Sequence, residues 1–87
     1  MHLGRILAST NRQKILKALK KMKQIHVMDL VRTVNSTHGE VTRNLSILAE
    51  EEIIIVKKVG KMKIIQLNGK NERTQCLLRA LNILEEN

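Results

Sequence analysis

Residues 36–51 have the sequence STHGEVTRNLSILAEE, which predicts one amphipathic helix together with its start signal. Thr37 and Glu40 have the spacing of a capping box, in which each side chain satisfies a backbone amide that the first turn leaves unpaired. Apolar residues then recur at i, i+4 and i+7, which places their side chains on one buried face. They are Val41, Leu45 and Leu48.

The opposite face of this predicted helix is small and polar, with one cation at its centre. At about 100° per residue, Gly39, Arg43 and Ser46 point away from the apolar stripe, and Thr42 lies on the flank. A helix that only fills a core does not need this combination. A helix in a DNA major groove does, because small residues allow close approach and an arginine fork matches guanine edges or phosphates.

The composition favours a small basic domain with a polyanionic partner. A chain of 87 residues makes one domain with a thin core, and such domains often gain stability by pairing with a second copy. Sixteen Lys and Arg against 8 Asp and Glu give a net charge of +8, which favours nucleic acid first and an acidic membrane surface second. A lysine-rich surface that binds nothing is the alternative. The absence of Phe, Tyr and Trp argues against single-strand binding by base stacking.

Cysteine usage and hydropathy predict a cytoplasmic protein. The single cysteine cannot form a disulfide within one chain, which indicates a reducing interior. No signal peptide is recognisable, and no apolar run approaches the roughly 18 residues of a membrane span. We therefore expect a protein that is neither exported nor membrane-spanning.

The residues before position 36 predict the first half of a helix-turn-helix. Thr10 and Gln13 repeat the capping-box spacing and open a helix to about Lys21. A short edge strand at 24–27 and a helix at 28–34 follow, and a two-residue polar link joins that helix to the next one. Four lysines cover the outside of the early helix, as an ordinary solvated face or as phosphate contacts if DNA lies near: Lys14, Lys17, Lys20 and Lys21.

The residues after position 51 predict a β-hairpin. The β-branched run at 53–56 and the segment 64–67 are typical of paired strands, with a basic turn around Gly60 between them. Its lysines suit phosphate contact, or a charged edge that prevents sheet aggregation. They are Lys57, Lys58, Lys61 and Lys63. The acidic run at 50–52 is expected to be solvated.

Asn71 caps a last predicted helix, from Glu72 to about Glu86. This helix is apolar around more of its circumference than one small core can cover, which favours a two-fold partner, unless the domain itself buries the helix. With the apolar start of the chain, the predicted dimer interface comprises Leu3, Ile6, Leu7, Cys76, Leu77, Ala80, Leu81, Ile83 and Leu84.

The order of predicted elements is that of a winged helix-turn-helix, a mainly α fold with a small β-hairpin (α+β). Residues 7–67 resemble the ArsR and MarR families of prokaryotic transcriptional regulators. The segment 11–16, NRQKIL, looks like the arginine-containing helix start of ArsR-type repressors, and 41–45, VTRNL, is similar to the V-[ST]-R-x-L core of their recognition helices. We expect one domain over 1–87, with a core at 1–70 and a dimerisation helix at 71–87.

The resemblance implies a homodimer on a pseudo-palindromic operator in a bacterium or archaeon. The recognition helix, about 37–51, would enter the major groove, and the wing, about 53–67, would touch the flanking backbone or minor groove. The outer face predicts base-edge contacts from Thr42, Arg43 and Ser46, with Gly39 allowing close approach. Phosphate contacts are expected from Thr37 and the four hairpin lysines, and His38 bonds a phosphate or base edge or has no role.

The sequence argues against an enzyme and against a metal or other cofactor. It has no Gly-rich phosphate loop and no nucleophile with a base at a recognisable spacing. Metal-sensing ArsR relatives carry a cysteine pair where this chain has His26 and Met28, which together make a poor thiophilic site. Cys76 is expected to be a small buried hydrophobic residue rather than a redox switch that pairs with its mate across a two-fold axis. The effector, the operator and the direction of regulation stay open.

Two other functions for the same fold are considered. One is non-specific, architectural binding to DNA, which the high positive charge suits. The other is a protein-interaction module, which would need an acidic or apolar outer face on the predicted recognition helix. Arg43, Gly39 and Thr42 argue against it, whereas Ile47 and Glu40 leave some room for it.

Overall fold

The computed structural model describes residues 3–86, which form five helices and three strands. In chain order they are α1 (Leu3–Leu7), α2 (Thr10–Met22), β1 (Gln24–His26), α3 (Val27–Val34), α4 (His38–Glu50), β2 (Ile54–Val59), β3 (Met62–Leu67) and α5 (Glu72–Glu86). This order confirms the predicted α+β winged helix-turn-helix layout. Helices α3 and α4 form the helix-turn-helix, and β2 and β3 form the wing.

The start of α2 differs from the prediction, because Ser9 rather than Thr10 is its cap. The Ser9 hydroxyl accepts from the amide of Arg12 at 3.2 Å, and the Ser9 carbonyl accepts from the amide of Gln13 at 3.0 Å. The Gln13 side chain donates to the carbonyl of Leu7, so it does not reach back to close a box with Thr10. Thr10 is therefore the first helical residue.

The three strands form one antiparallel sheet in the order β1-β3-β2, so β1 lies at an edge, as predicted. The wing strands extend further than the sequence indicated. Val59 pairs with Met62, and only Gly60 and Lys61 form the turn. Gly60 has a φ of 63°, as the first central position of a type II′ turn requires. Lysines are depleted in strands, which is why the sequence suggested a longer turn and why Lys57, Lys58 and Lys63 lie in strands instead.

The core lies where α2, the inner face of α4, strand β3 and α5 meet. The apolar stripe of α4 is buried as predicted, with Val41 and Leu48 both at 0% exposure and Leu45 at 6%. The core also contains eight apolar side chains from outside α4 that are at most 1% exposed. They are Ile15, Leu16, Leu19, Leu30, Ile53, Ile65, Leu77 and Leu81. The stripe thus fixes which face of α4 is left for solvent.

The end of α4 is tied to the start of α5 through Glu51, whereas Glu50 and Glu52 are exposed, as expected for a solvated acidic run. The Glu51 carboxylate pairs with Arg73 at 3.3 Å, and the Asn71 side chain donates to the carbonyls of Glu51 and Glu52 at 3.2 and 2.9 Å. Asn71 also accepts from the amide of Arg73 at 2.9 Å, which confirms it as the local cap. The prediction of solvation is therefore wrong only for the Glu51 carboxylate.

Within residues 3–86, none of the helices has the length and apolar character needed to cross a membrane.

Candidate nucleic-acid interface

The amino end of α4 is capped by Thr37, whose hydroxyl accepts from the amide of Glu40 at 3.1 Å. This confirms half of the predicted capping box. The Glu40 carboxylate does not complete it, because it accepts from the Ser36 hydroxyl at 2.7 Å instead. The same carboxylate lies 4.0 Å from the Arg43 guanidinium. Thr37 therefore fixes the start of α4, and the hydrogen bond from Ser36 connects the first turn to the link before the helix.

The outer face of α4 is exposed at each position predicted for DNA contact: His38, Gly39, Thr42, Arg43 and Ser46. The Arg43 side chain is 69% exposed, so its contact with Glu40 is a weak surface ion pair that leaves the guanidinium available. The Ser46 hydroxyl donates to the carbonyl of Thr42 at 3.1 Å and keeps its acceptor lone pairs for solvent or a ligand. These groups offer both donors and acceptors on one surface.

Gly39 has no internal reason to be glycine. A Cβ at this position would meet no atom within 4 Å, and its φ is not in the left-handed range. A glycine in a helix costs up to about 1 kcal/mol relative to alanine. Packing within the protomer therefore does not require a glycine here, and the close approach of DNA at Gly39 stays a prediction.

The wing places all four predicted lysines at its exposed end: Lys57, Lys58, Lys61 and Lys63. Lys58 and Lys63 are cross-strand partners, and like charges directly opposite each other destabilise a hairpin. A bound anion would relieve that repulsion, since it would neutralise both ammonium groups.

A cleft between α4 and the wing joins the two predicted contact regions. Its volume is about 160 Å³, and both elements contribute to its wall. On the α4 side it is lined by His38, Thr42 and Ser46, and on the wing side by Val56 and Lys63. The outer face of α4 and the basic wing are therefore neighbouring walls of one surface rather than separate features.

Three polar residues lie behind this surface and are not among the predicted site residues: Arg12, Asn44 and Asn11. Asn44 lies on the inner side of α4 and is 5% exposed. It accepts from Arg12 at 2.8 Å and donates to Asn11 at 2.9 Å. The signal was present in the sequence, because Asn44 falls within the apolar stripe at i+3 from Val41, where a polar side chain needs a buried partner.

The residues predicted for the dimer interface fall into buried, half-buried and exposed groups in the structure. Ile6, Leu77 and Leu81 are 4%, 0% and 1% exposed, so the protomer's own core already buries them, and their assignment to the interface is wrong. Ile83 and Leu84 are exposed at 62% and 52%, and Cys76 is also exposed. Leu7 and Ala80 are half-buried, and the side chain of residue 3 lies outside the described part.

The histidine at the position of the metal-sensing cysteines has a structural role. His26 caps α3, and its Nδ1 accepts from the amide of Met28 at 3.2 Å. Among residues 3–86, no three His, Cys, Asp or Glu side chains come together in a way that could hold a metal ion.

No protein-family model and no curated protein matches the chain, but solved structures do. The antimony-specific transcriptional repressor AntR is 25% identical with a TM-score of 0.80, covering 97% of this chain and 75% of its own. The homodimeric winged helix-turn-helix DNA-binding domain of Mb0332 from Mycobacterium bovis, a possible ArsR-family regulator, is 17% identical with a TM-score of 0.80, covering 97% and 76%. The transcriptional repressor BigR from Xylella fastidiosa is 17% identical with a TM-score of 0.78, covering 93% and 81%.

These similarities confirm the fold expected from the sequence. The chain has the winged helix-turn-helix fold of the ArsR/MarR-like type. The three similar proteins are regulators or regulator domains and none is an enzyme, in agreement with the lack of catalytic motifs.

Proposed function

We propose that this protein is a transcriptional regulator that binds specific sequences of double-stranded DNA as a homodimer in the cytoplasm. In this proposal residues 1–87 act as one domain, α4 enters the major groove, and the wing contacts the flanking backbone or minor groove. The observation that carries it is the cleft in which His38, Thr42 and Ser46 of α4 face Lys63 of the wing, whose other three lysines are also exposed. The regulators of the same fold supply the analogy.

The proposed roles follow from the chemistry of each side chain. Arg43 would read a base edge with its fork, and Thr42 and Ser46 would add hydroxyl contacts. Gly39 would let the helix backbone approach the duplex. Thr37, His38 and the wing lysines would contact phosphates, which position the protein without reading sequence.

The homodimer is supported by the exposed apolar part of α5. Ile83, at 62% exposure, lies on the side of α5 that carries Cys76 and Ala80, and Leu84, at 52%, is the exposed end of the stripe whose earlier members the core buries. Covering such side chains is favourable by about 25 cal/mol for each Å² of apolar surface removed from water. Two copies paired through this face would bury the surface and present two α4 helices to DNA. The Mb0332 domain, of the same fold, is homodimeric.

The alternative of a protein-interaction module loses the support that Ile47 and Glu40 gave it. Ile47 is half-buried and packs against the core rather than projecting from the outer face. The Glu40 carboxylate accepts a hydrogen bond from Ser36 and lies beside the Arg43 guanidinium. What the outer face offers is small, polar and cationic, which suits a polyanion better than an apolar or basic protein surface.

Selection of binding sites from random duplex DNA with the purified protein tests this function. We expect enrichment of a pseudo-palindromic consensus whose half-sites lie about one helical turn apart, or a multiple of it. Strong, salt-sensitive binding without any enriched sequence would replace this proposal with architectural DNA binding. Failure to bind duplex DNA at low ionic strength would remove both.

A further inference from the structure

A set of hydrogen bonds runs from the end of α1 to Glu40 on α4, and a weak ion pair at 4.0 Å joins Glu40 to Arg43 on the outer face. Its members come from the first turn of α2 and, more than 20 residues later, from the link between α3 and α4 and from α4 itself. In order along the set they are Arg12, Asn44, Asn11, Ser36, Glu40 and Arg43. We call this set the anchor network.

Arg12 fixes one end of the anchor network. Its Nε donates to the carbonyl of Ile6 at 3.0 Å, and its Nη2 donates to the carbonyl of Arg5 at 3.1 Å. Both acceptors lie at the carboxyl end of α1, where backbone carbonyls lack helical partners. The remaining Nη1 donates to the side-chain oxygen of Asn44 at 2.8 Å. One rigid guanidinium therefore holds α1 and α4 at a fixed distance and angle.

Asn44 and Asn11 carry the connection toward the amino end of α4. The Asn44 amide donates to the Asn11 side-chain oxygen at 2.9 Å, and the Asn11 amide donates to the Ser36 hydroxyl at 2.8 Å. Each amide thus uses both its donor and its acceptor end. Ser36 donates in turn to Glu40, which lies beside Arg43 on the outer face.

The core could hold α4 without this network. Val41, Leu45 and Leu48 already bury the helix, and an apolar residue at position 44 would extend their stripe. Apolar contacts are not directional, so they leave a helix some freedom to rotate about its axis or slide along it. Hydrogen bonds are directional, and the part-buried bonds of Asn44 with Arg12 and Asn11 are satisfied together only in a narrow range of arrangements. The presence of the network at this place therefore specifies how far α4 is rotated.

The reference for that rotation is the α1–α5 unit, because α1 packs against α5. Helix α5 carries the exposed Ile83 and Leu84, the surface proposed for the dimer. A rotation of α4 relative to α1 would move Arg43 relative to the two-fold axis. The distance and angle between the two α4 helices of a dimer would then change.

We propose that Arg12 and Asn44 are positioning residues that fix the rotation of α4 against the α1–α5 unit and thereby set the half-site spacing that the dimer accepts. This inference rests on the proposed function. It adds a specificity determinant that touches no DNA.

The test compares operators whose half-sites are moved apart or together by one base pair, built from the consensus selected by the parent protein. Coupling within one network changes affinities by about 2- to 150-fold. We expect the parent to lose about tenfold for one base pair of change in spacing, and Asn44→Leu to lose less than about threefold. Asn44→Asp keeps the acceptor for Arg12 but loses the donor to Asn11, so it should restore only part of the spacing preference.

Ile53→Val is the matched control, because Ile53 is fully buried but makes no bond in the anchor network. It should lower thermal stability while keeping the parent's spacing preference. If Ile53→Val loosens the preference as much as Asn44→Leu, or if Asn44→Leu keeps it, the positioning role is overturned. Should Asn44→Leu fail to fold, Asn11→Ala removes the neighbouring bonds and is judged by the same comparison.

A second readout needs no DNA, which separates this inference from the proposed function. Residual dipolar couplings of the backbone amides give the angle by which α4 is rotated about its axis relative to the α1–α5 unit in solution. We expect Asn44→Leu to change that angle or to average it over a wider range, and Ile53→Val to leave it unchanged. An unaltered, equally narrow angle in Asn44→Leu would overturn the inference even if the parent reads DNA as proposed. If the parent selects no sequence, the proposed function fails, and the angle still decides whether the network positions α4.

Discussion

Helices α4 and α5 differ in the kind of side chain that the hydrophobic core does not account for: polar in α4 and apolar in α5. Helix α4 places a polar residue, Asn44, inside the protein and leaves a small polar face outside. Helix α5 buries Leu77 and Leu81 completely and leaves Ile83 and Leu84 outside. An exposed polar face with a cation at its centre suits a charged partner, whereas exposed apolar side chains suit a second protein surface. The contrast supports our proposal that α4 contacts DNA and that α5 pairs with a second copy of the chain.

Breaking the α5 side of this comparison should have the largest effect. Leu84→Lys changes an exposed residue, so the protomer should stay folded while the dimer dissociates. Loss of the second half-site should weaken operator binding by about 10²- to 10⁴-fold. The added lysine raises the positive charge, so a weaker complex could not be attributed to lost attraction for DNA. Sedimentation equilibrium and operator titration measure the two effects.

Gln75→Lys is the control for this variant, since it adds the same charge at an exposed position on another side of α5. It should leave both the dimer and the operator affinity in place. A Leu84→Lys protein that stays dimeric and binds like the parent would show that α5 does not form the interface.

Breaking the α4 side should have the next largest effect. Arg43→Ala should lose about 1–3 kcal/mol of binding free energy on the selected operator, and much less on random duplexes. Arg43→Lys keeps the charge but lacks the fork, so it should resemble the alanine variant on the operator. Equal weakening on both kinds of DNA would mean that Arg43 contacts only the backbone. Fluorescence anisotropy titrations at fixed salt measure the difference.

Gly39→Ala separates stability from DNA binding, because we expect it to raise the stability of the protein and to lower its operator affinity. The new methyl group meets no atom within 4 Å in the free protein, so alanine should raise the free energy of unfolding by at most about 1 kcal/mol. On the outer face the same methyl group should hinder the approach of DNA and lower operator affinity. Thermal unfolding and operator titration on one preparation test both signs. An alanine variant that binds DNA as tightly as the parent would remove Gly39 from the interface.

The smallest effect is expected from one wing lysine. Lys58→Ala should weaken binding to all duplexes alike and lower the slope of log affinity against log salt by about one. It also removes the like charge opposite Lys63, so it should stabilise the free protein by about 0.2–1 kcal/mol. Titrations at several salt concentrations give the slope. A slope equal to that of the parent would remove this lysine from the contact.

The elements of the fold followed from local patterns that sequence carries well. The stripe at Val41, Leu45 and Leu48 and the caps at Thr37 and Asn71 gave the positions of α4 and α5 to within two residues. The turn of the wing was predicted too long because Lys57 and Lys63 resemble turn residues more than strand residues, and pairing across the hairpin overrode that local preference.

The division of apolar residues between core and surface could not be predicted in the same way. Leu81 and Leu84 are one helical turn apart and chemically identical, yet Leu81 is 1% exposed and Leu84 52%. The difference depends on where the other elements end, which is tertiary information. The partner of Asn44 was equally hidden, because Arg12 is 32 positions away along the chain.

The most direct measurement maps the backbone amide signals of the protein in two-dimensional NMR spectra while the selected duplex is added. The account predicts that the largest changes fall on residues 38–46 of α4 and 57–63 of the wing, at saturating duplex and low salt. Changes confined to α3 or α5, with the signals of 38–46 unmoved, would contradict it.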